Sequence, residues 1–271
     1  MLIGTAMAFE SGKGHMLSAI AALVGALLIQ IGTNLSNDYF DYIKGADTEE
    51  RLGPVRATQA GWISPRIILR SSLLVFASAV LIGLFLVWRG GWPIVLIGIL
   101  SIIFGILYTG GPYPLAYHGL GELFVLIFFG PVATLGTYYV QALEFSSEVF
   151  IAGLAPGLLS TALLAVNNLR DIPTDLKARK RTLAVRFGSR FARIEYIICI
   201  FGALCIPLLL VYLQKHHWFS LAASLALLPA IPAMRVVISG DSGAVLNETL
   251  AKTGKVLMIF SVLFSAGWLI G

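Results

Sequence analysis

Runs of eighteen or more apolar residues recur along the whole length of this chain. Each is long enough to cross a hydrocarbon core of roughly 30 Å as a helix. Backbone groups find no water in lipid, so a spanning chain must be helical or a closed barrel. The runs are continuous and do not alternate, which argues against strands. Full spans are predicted at about 16–35, 67–88, 92–108, 121–141, 149–167, 192–213, 217–238 and 252–270. Residues 1–9 (MLIGTAMAF) are too short to cross. They read as the end of one more helix, truncated as by a misplaced start codon. No gap between spans is long enough for a soluble domain. The expectation is an all-α polytopic membrane bundle of about nine helices, forming a single domain over 1–271.

Charge supplies the orientation. Charged residues make up 12% of the chain, against about 25% in soluble domains. The net charge of +5 is not a nucleic-acid signal, because excess Lys and Arg in a membrane protein mark cytoplasmic loops. Of 19 Lys and Arg, only Lys13, Arg89 and Lys215 fall on one side, leaving 16 on the side that carries 36–66, 109–120, 168–191 and 239–251. That side is predicted to be cytoplasmic. Cys199 and Cys205 share one apolar run without metal or disulfide spacing. No cleavable signal peptide precedes the first run.

Two acidic motifs stand out against this background. The first ends the 16–35 span as Asn34-Leu-Ser-Asn37-Asp38-Tyr-Phe-Asp41-Tyr-Ile-Lys44-Gly-Ala-Asp47. If the helix continues a turn or two, Asn34, Asp38 and Asp41 form one polar stripe. The second ends the 149–167 span as Asn167-Asn168-Leu-Arg170-Asp171-Ile-Pro173-Thr-Asp175-Leu-Lys177. Pro173 disfavours helix at Ile172, so a kink or stop is expected there, with Asp175 placed by a loop. The motifs lie four spans apart, which returns the chain to the same face. This predicts two pseudo-repeated four-helix halves around a central cavity.

Carboxylates at a span end are costly unless they face a cavity, a cation or a partner. The bland alternative is a solvated acidic loop. Two facing clusters suit Mg²⁺, which takes one or two carboxylates plus substrate phosphates. Lys44, Arg51, Arg56, Arg170, Lys177, Lys180 and Arg181 lie near the motifs, although positive-inside topology explains most of them. The loop 108–122 is rich in Gly, Pro and Tyr and lies on the same side. Its tyrosines suit an aromatic acceptor or a cation, and equally an interfacial aromatic belt. Pro131, Pro207, Pro229 and Pro232 lie inside spans, where they read mainly as kinks. HExxH, Walker and GxSxG motifs are absent.

The stretches 34–61, 108–131 and 167–188 resemble the UbiA superfamily of intramembrane prenyltransferases, most closely its 1,4-dihydroxy-2-naphthoate branch. The resemblance implies that Asn37, Asp38, Asp41 and Asp47 form the first Mg²⁺ and diphosphate motif, and that Asp171 and Asp175 form the second. It makes Asp41, Asp171, Asp175 and Asn37 the catalytic set. Asn34, Lys44, Arg51, Arg56, Asn168, Arg170 and Lys177 are the candidate diphosphate ligands. Tyr108, Tyr113 and Tyr117 would line the acceptor or cation pocket. Pro173 stands where naphthoate relatives often carry an acid, and Tyr117 where the hydroxybenzoate branch carries a lysine.

The implied activity is transfer of a polyprenyl group from its diphosphate to dihydroxynaphthoate at a bacterial inner membrane, with loss of CO₂ and diphosphate. Another aromatic acceptor, homogentisate or a tetrapyrrole, fits the same motifs. An ion transporter is the reading from a different class, although its sites usually lie near the midplane.

Overall fold

The computed structural model describes residues 1–46, 48 and 51–271. Among these the chain is helical, with no strand. Helix α1 is Leu2–Glu10, α2 Met16–Ile43, α3 Pro65–Gly90 and α4 Trp92–Leu107. A 3₁₀ turn at Leu115–His118 leads into α5, Gly121–Ile127, which continues through a π segment (Phe128–Val132) into α6, Ala133–Ala142. The rest comprises α7 Ser147–Lys177, α8 Leu183–Gln214, a 3₁₀ segment Trp218–Ala226 running into α9 Leu227–Ser239, and α10 Leu246–Ile270. Seven helical stretches are long and apolar enough to cross a membrane, and the 16-residue α4 is a shorter apolar helix. The short α1 packs against α6, α7 and α10.

Two motif-bearing helices are longer than their apolar runs suggest. α2 continues to Ile43 and carries Asn34, Asn37, Asp38 and Asp41 on helical turns. α7 continues to Lys177 and passes through Pro173 without stopping. The expected break at Ile172 is therefore absent, and Asp175 sits on the helix one turn beyond Asp171. Proline removes one backbone bond and crowds the preceding turn. Tertiary packing outweighs that local cost here: two-thirds of the apolar window of α7 is buried, and its most extensive neighbour is α8.

The two halves are packed differently. The second half is solid. Small residues Ala152, Ala155, Ala162 and Ala165 of α7, with Ala203 of α8, are fully or almost fully buried. Small side chains let helix backbones approach, which drives packing where lipid removes any hydrophobic contrast. The first half instead encloses an apolar cavity of about 850 Å³, lined by α2, α3, α4, α5 and α6. The halves meet where the kinked α5–α6 segment lies on α7. Gly130 departs from helical geometry beside Pro131, and a Cβ there would fall 2.8 Å from Gly157 Cα. Pro131 thus marks a real bend, and its neighbours Phe128, Phe129 and Val132 line the cavity.

Candidate active site

Because α2 stays helical past the apolar run, its last three turns carry the first acidic motif into the bundle. Asn37, Asp38 and Asp41 are buried. Asn34 is exposed at the surface and also lines the polar end of the apolar cavity with Asn37 and Tyr108. Asn37 Oδ1 accepts a 2.8 Å hydrogen bond from Thr109 Oγ1. The Thr109 carbonyl in turn accepts one from Lys44 Nζ. The Tyr117 hydroxyl donates to Asp41 Oδ1 at 3.0 Å. Lys44 and Lys180 stand over the Tyr117 ring, at 4.8 and 5.7 Å from its centroid.

The α7 motif reaches the same place from the other half. Asp175 is buried, and Lys180 Nζ lies 3.7 Å from its Oδ1. Asp175 is close enough to Asp171 and Asp41 to feel both charges. Burial alone would depress the Lys180 ammonium. Asp175, Asp41 and Asp171 outweigh that and hold its pKa above the ordinary lysine value. Lys44 differs: burial pulls its pKa below the usual value, against a smaller opposing pull from Asp41.

Arg170 plays another part than a ligand cation. It is 2% exposed. Its Nε and Nη2 grip both oxygens of Asp171 at 2.7 Å. Nη2 also bonds Asn167 Oδ1 at 2.6 Å, and Nη1 bonds Asn247 Oδ1 at 2.7 Å. Four of the five guanidinium donors are therefore engaged within the protein. Asn168 likewise turns away from substrate space and donates to the buried Glu122 at 2.7 Å.

The remaining candidates are spread out. Tyr108 lines the apolar cavity. Tyr113 is 57% exposed and stacks on His118 at 3.6 Å. Arg51 donates to the Pro54 carbonyl at 3.0 Å, Arg56 is half-buried in the same loop, and Lys177 is exposed at the end of α7. Asp47 lies outside the described residues.

The orphaned acceptors of the two motifs suit a hard cation in their chemistry. Asp38 Oδ1 on α2 and Asp175 Oδ2 on α7 are buried without a hydrogen-bond partner. Such orphaned acceptors are costly, and a cation would satisfy them. Among the described residues no three His, Cys, Asp or Glu side chains are grouped closely enough to hold a metal alone. Mg²⁺ completes its shell with waters and phosphate oxygens, so a diphosphate would share it.

Lys180, one of the seven basic residues near the motifs in sequence, is held close to their acids. Three other residues of this site are not singled out by sequence. Thr109 and Asn247 carry no local signal. Glu122 does, because an acid inside an apolar span is a functional candidate by default.

The chain matches the UbiA prenyltransferase family over residues 1–269. It is 39% identical to the 1,4-dihydroxy-2-naphthoate octaprenyltransferase of Mycobacterium tuberculosis, over 90% of this chain and 82% of that one. It is 36% identical to the enzyme of the same name from Escherichia coli, over 98% of this chain and 89% of that one. A solved structure of a UbiA homolog from Archaeoglobus fulgidus bound to DMAPP and Mg²⁺ shares the fold, with TM-score 0.62 and 14% identity, over 100% of this chain and 95% of that one. The apolar bundle with an acidic motif on each half, and a family match across nearly its whole length, make this chain a member of the UbiA prenyltransferase family.

Proposed function

We propose that this protein transfers a polyprenyl group from polyprenyl diphosphate to 1,4-dihydroxy-2-naphthoate, releasing diphosphate and CO₂ and giving the quinol form of demethylmenaquinone. The observation that carries this is the approach of Asp175 and Lys180 in the second half to Asp41 in the first, next to the apolar cavity that Asn34 and Asn37 line. The names of the M. tuberculosis and E. coli relatives supply the acceptor. The ligands of the A. fulgidus homolog support a prenyl diphosphate and Mg²⁺.

Asp38 and Asp41 on one half and Asp175 on the other would share Mg²⁺ with the diphosphate oxygens and waters that complete its shell, with Asp171 gripped by Arg170 on the same helix as Asp175. When bound, Mg²⁺ neutralises charge developing on the departing diphosphate. The chain's own cations act on the same group: Lys180 stands between the motifs and Lys44 beside them. Chain packing gives the isoprenoid tail a dry cavity in the first half. Asn37, fixed by Thr109, and Tyr117, fixed by Asp41, bound the space where the diphosphate-bearing carbon would lie.

The C–O bond of the prenyl diphosphate breaks and its electron pair leaves with diphosphate. The ring carbon bearing the carboxylate attacks the allylic carbon. Loss of CO₂ returns the C–C electron pair to the ring and restores aromaticity. The basic face carrying both motifs lies on the cytoplasmic side of a bacterial cell membrane in this proposal, supported by the 16-to-3 division of Lys and Arg.

The test is mass spectrometry of lipids formed by the purified protein from dihydroxynaphthoate and a mixture of prenyl diphosphates. Decarboxylated prenyl-naphthoquinols are expected. Products formed only with homogentisate or another acceptor would reassign the substrate.

A further inference from the structure

A second cavity, of about 450 Å³, lies on the loop side of Tyr117 and differs from the first in the basic side chains that line it. Its charged and aromatic wall is Lys44, Tyr117, His118, Arg179, Arg181 and Arg186, completed by Gly111, Pro112 and Pro114. Among the described residues no carboxylate and no long aliphatic side chain lines it. We propose that this basic recess captures the carboxylate of the aromatic acceptor as it arrives from water. This rests on the reaction proposed above and assigns one of its two substrates a place.

Three observations carry the assignment. The recess and the apolar cavity approach one another at the motif. Asn37 lines the apolar cavity, Lys44 lines the recess, and Thr109 bonds both of them. A reaction between a lipid-soluble diphosphate and a water-soluble aromatic acid needs two such compartments of opposite character that meet at the reacting carbon. The recess is also held by backbone bonds. Arg181 N donates to the Tyr117 carbonyl at 3.1 Å, and Arg186 Nε donates to the Arg181 carbonyl at 3.0 Å. The two loops that form it are therefore fixed against each other. Finally, its chemistry matches an aromatic carboxylate. Guanidinium forks pair with planar carboxylates, and the Tyr117 and His118 rings offer aromatic surface beside them. No Leu, Ile, Val, Phe or Met stands among its described lining residues, whereas such side chains dominate the apolar cavity.

The experiment is an equilibrium titration in phosphatidylcholine nanodiscs, using the fluorescent probes 1-hydroxy-2-naphthoate and 1-naphthol. The unsubstituted protein should bind the acid at least about tenfold more tightly, the scale of one hydrogen bond to a charged group. Arg181→Gln and Arg179→Gln alter side chains on the exposed wall. Each should erase most of that preference while leaving 1-naphthol binding unchanged. In turnover, both should raise KM for dihydroxynaphthoate and leave KM for prenyl diphosphate unaltered. An unchanged preference in both variants overturns the proposal, as does failure of the unsubstituted protein to bind the acid. So does an equal rise in KM for prenyl diphosphate, which marks a diphosphate site. Acid binding that is competed away by added phosphatidylglycerol, with the competition lost in the variants, would make the recess a lipid-headgroup site. Binding needs no turnover. A protein that binds the acid through these arginines but forms no prenyl-naphthoquinol would overturn the proposed reaction and leave the recess standing.

Discussion

Arg170 holds both carboxylate oxygens of Asp171, its neighbour in sequence, at 2.7 Å each. Adjacent residues on a helix point about 100° apart, so this grip requires the long arginine side chain to fold back. Asn167 and Asn247 keep it there. The first acid of the second motif is thereby presented in one orientation by a group that is itself buried.

Replacing Arg170 with Met should leave Asp171 without its partner in a nearly dry environment. Breaking a buried ion pair from one side costs about 3–5 kcal/mol. A lower thermal midpoint in detergent is expected, together with loss of turnover. Arg170→Lys should recover part of the stability and little of the activity, because an ammonium cannot span both oxygens. Differential scanning fluorimetry and product assay check the two effects separately.

Asn247, at the start of α10, uses both ends of its amide. Its Oδ1 accepts from Arg170, and its Nδ2 donates to the Leu52 carbonyl at 2.9 Å. The segment after the first motif is thus tied to the second motif through a helix from the far end of the chain. Asn247→Asp keeps the acceptor and loses the donor to Leu52, whereas Asn247→Ala loses both. The expected order of kcat/KM for prenyl diphosphate is wild type, then Asp, then Ala, with about a tenfold loss in Ala, the worth of a hydrogen bond to a charged group. Steady-state kinetics of the three proteins checks the order.

Gly53 lies beneath the same guanidinium. A Cβ there would fall 2.9 Å from Arg170 Nη2, and Arg170 has little freedom to move away. Gly53→Ala should therefore impair the same step as Asn247→Ala. The double variant should lose less than the sum of the two, since both act on one network. A double-mutant cycle on kcat/KM measures the coupling.

The apolar cavity gives a prediction about chain length. Gly83 and Gly98 line it, and a Cβ on either would meet no atom within 4 Å. Gly98→Phe should fill part of the space intended for the tail and shift product toward shorter prenyl groups, with short-chain diphosphates still used. Mass spectrometry of products from mixed diphosphates reads the shift directly.

Much of this was legible in the sequence, and the residues show why. The spans followed from apolar run length, because lipid leaves the backbone few alternatives. Asp38, Asp41 and Asp175 stand out in sequence because acids at a span end need a reason, and the structure buries all three. The path of α7 through Pro173 was not, since local proline chemistry predicts a break and only packing against α8 overrides it. Basic residues beside an acidic motif look alike in sequence, so nothing there shows that Arg170 grips its own neighbour Asp171. Its partner Asn247 is 77 residues away, and no local pattern announces that contact. Lys180 appears in sequence only as one of seven nearby cations, because topology accounts for most of that run and nothing in it marks the one that lies beside Asp175.

The central claim is that acids from both halves act together on one diphosphate. It is tested most directly by Mg²⁺-dependent binding of labelled geranyl diphosphate to the wild type, Asp41→Asn and Asp175→Asn in nanodiscs. Each substitution keeps shape and removes a charge. The account predicts that either one alone weakens Mg²⁺-dependent binding by about tenfold or more, the scale of a lost charged contact. Wild-type affinity in one of the two variants would contradict it, because a single motif would then suffice.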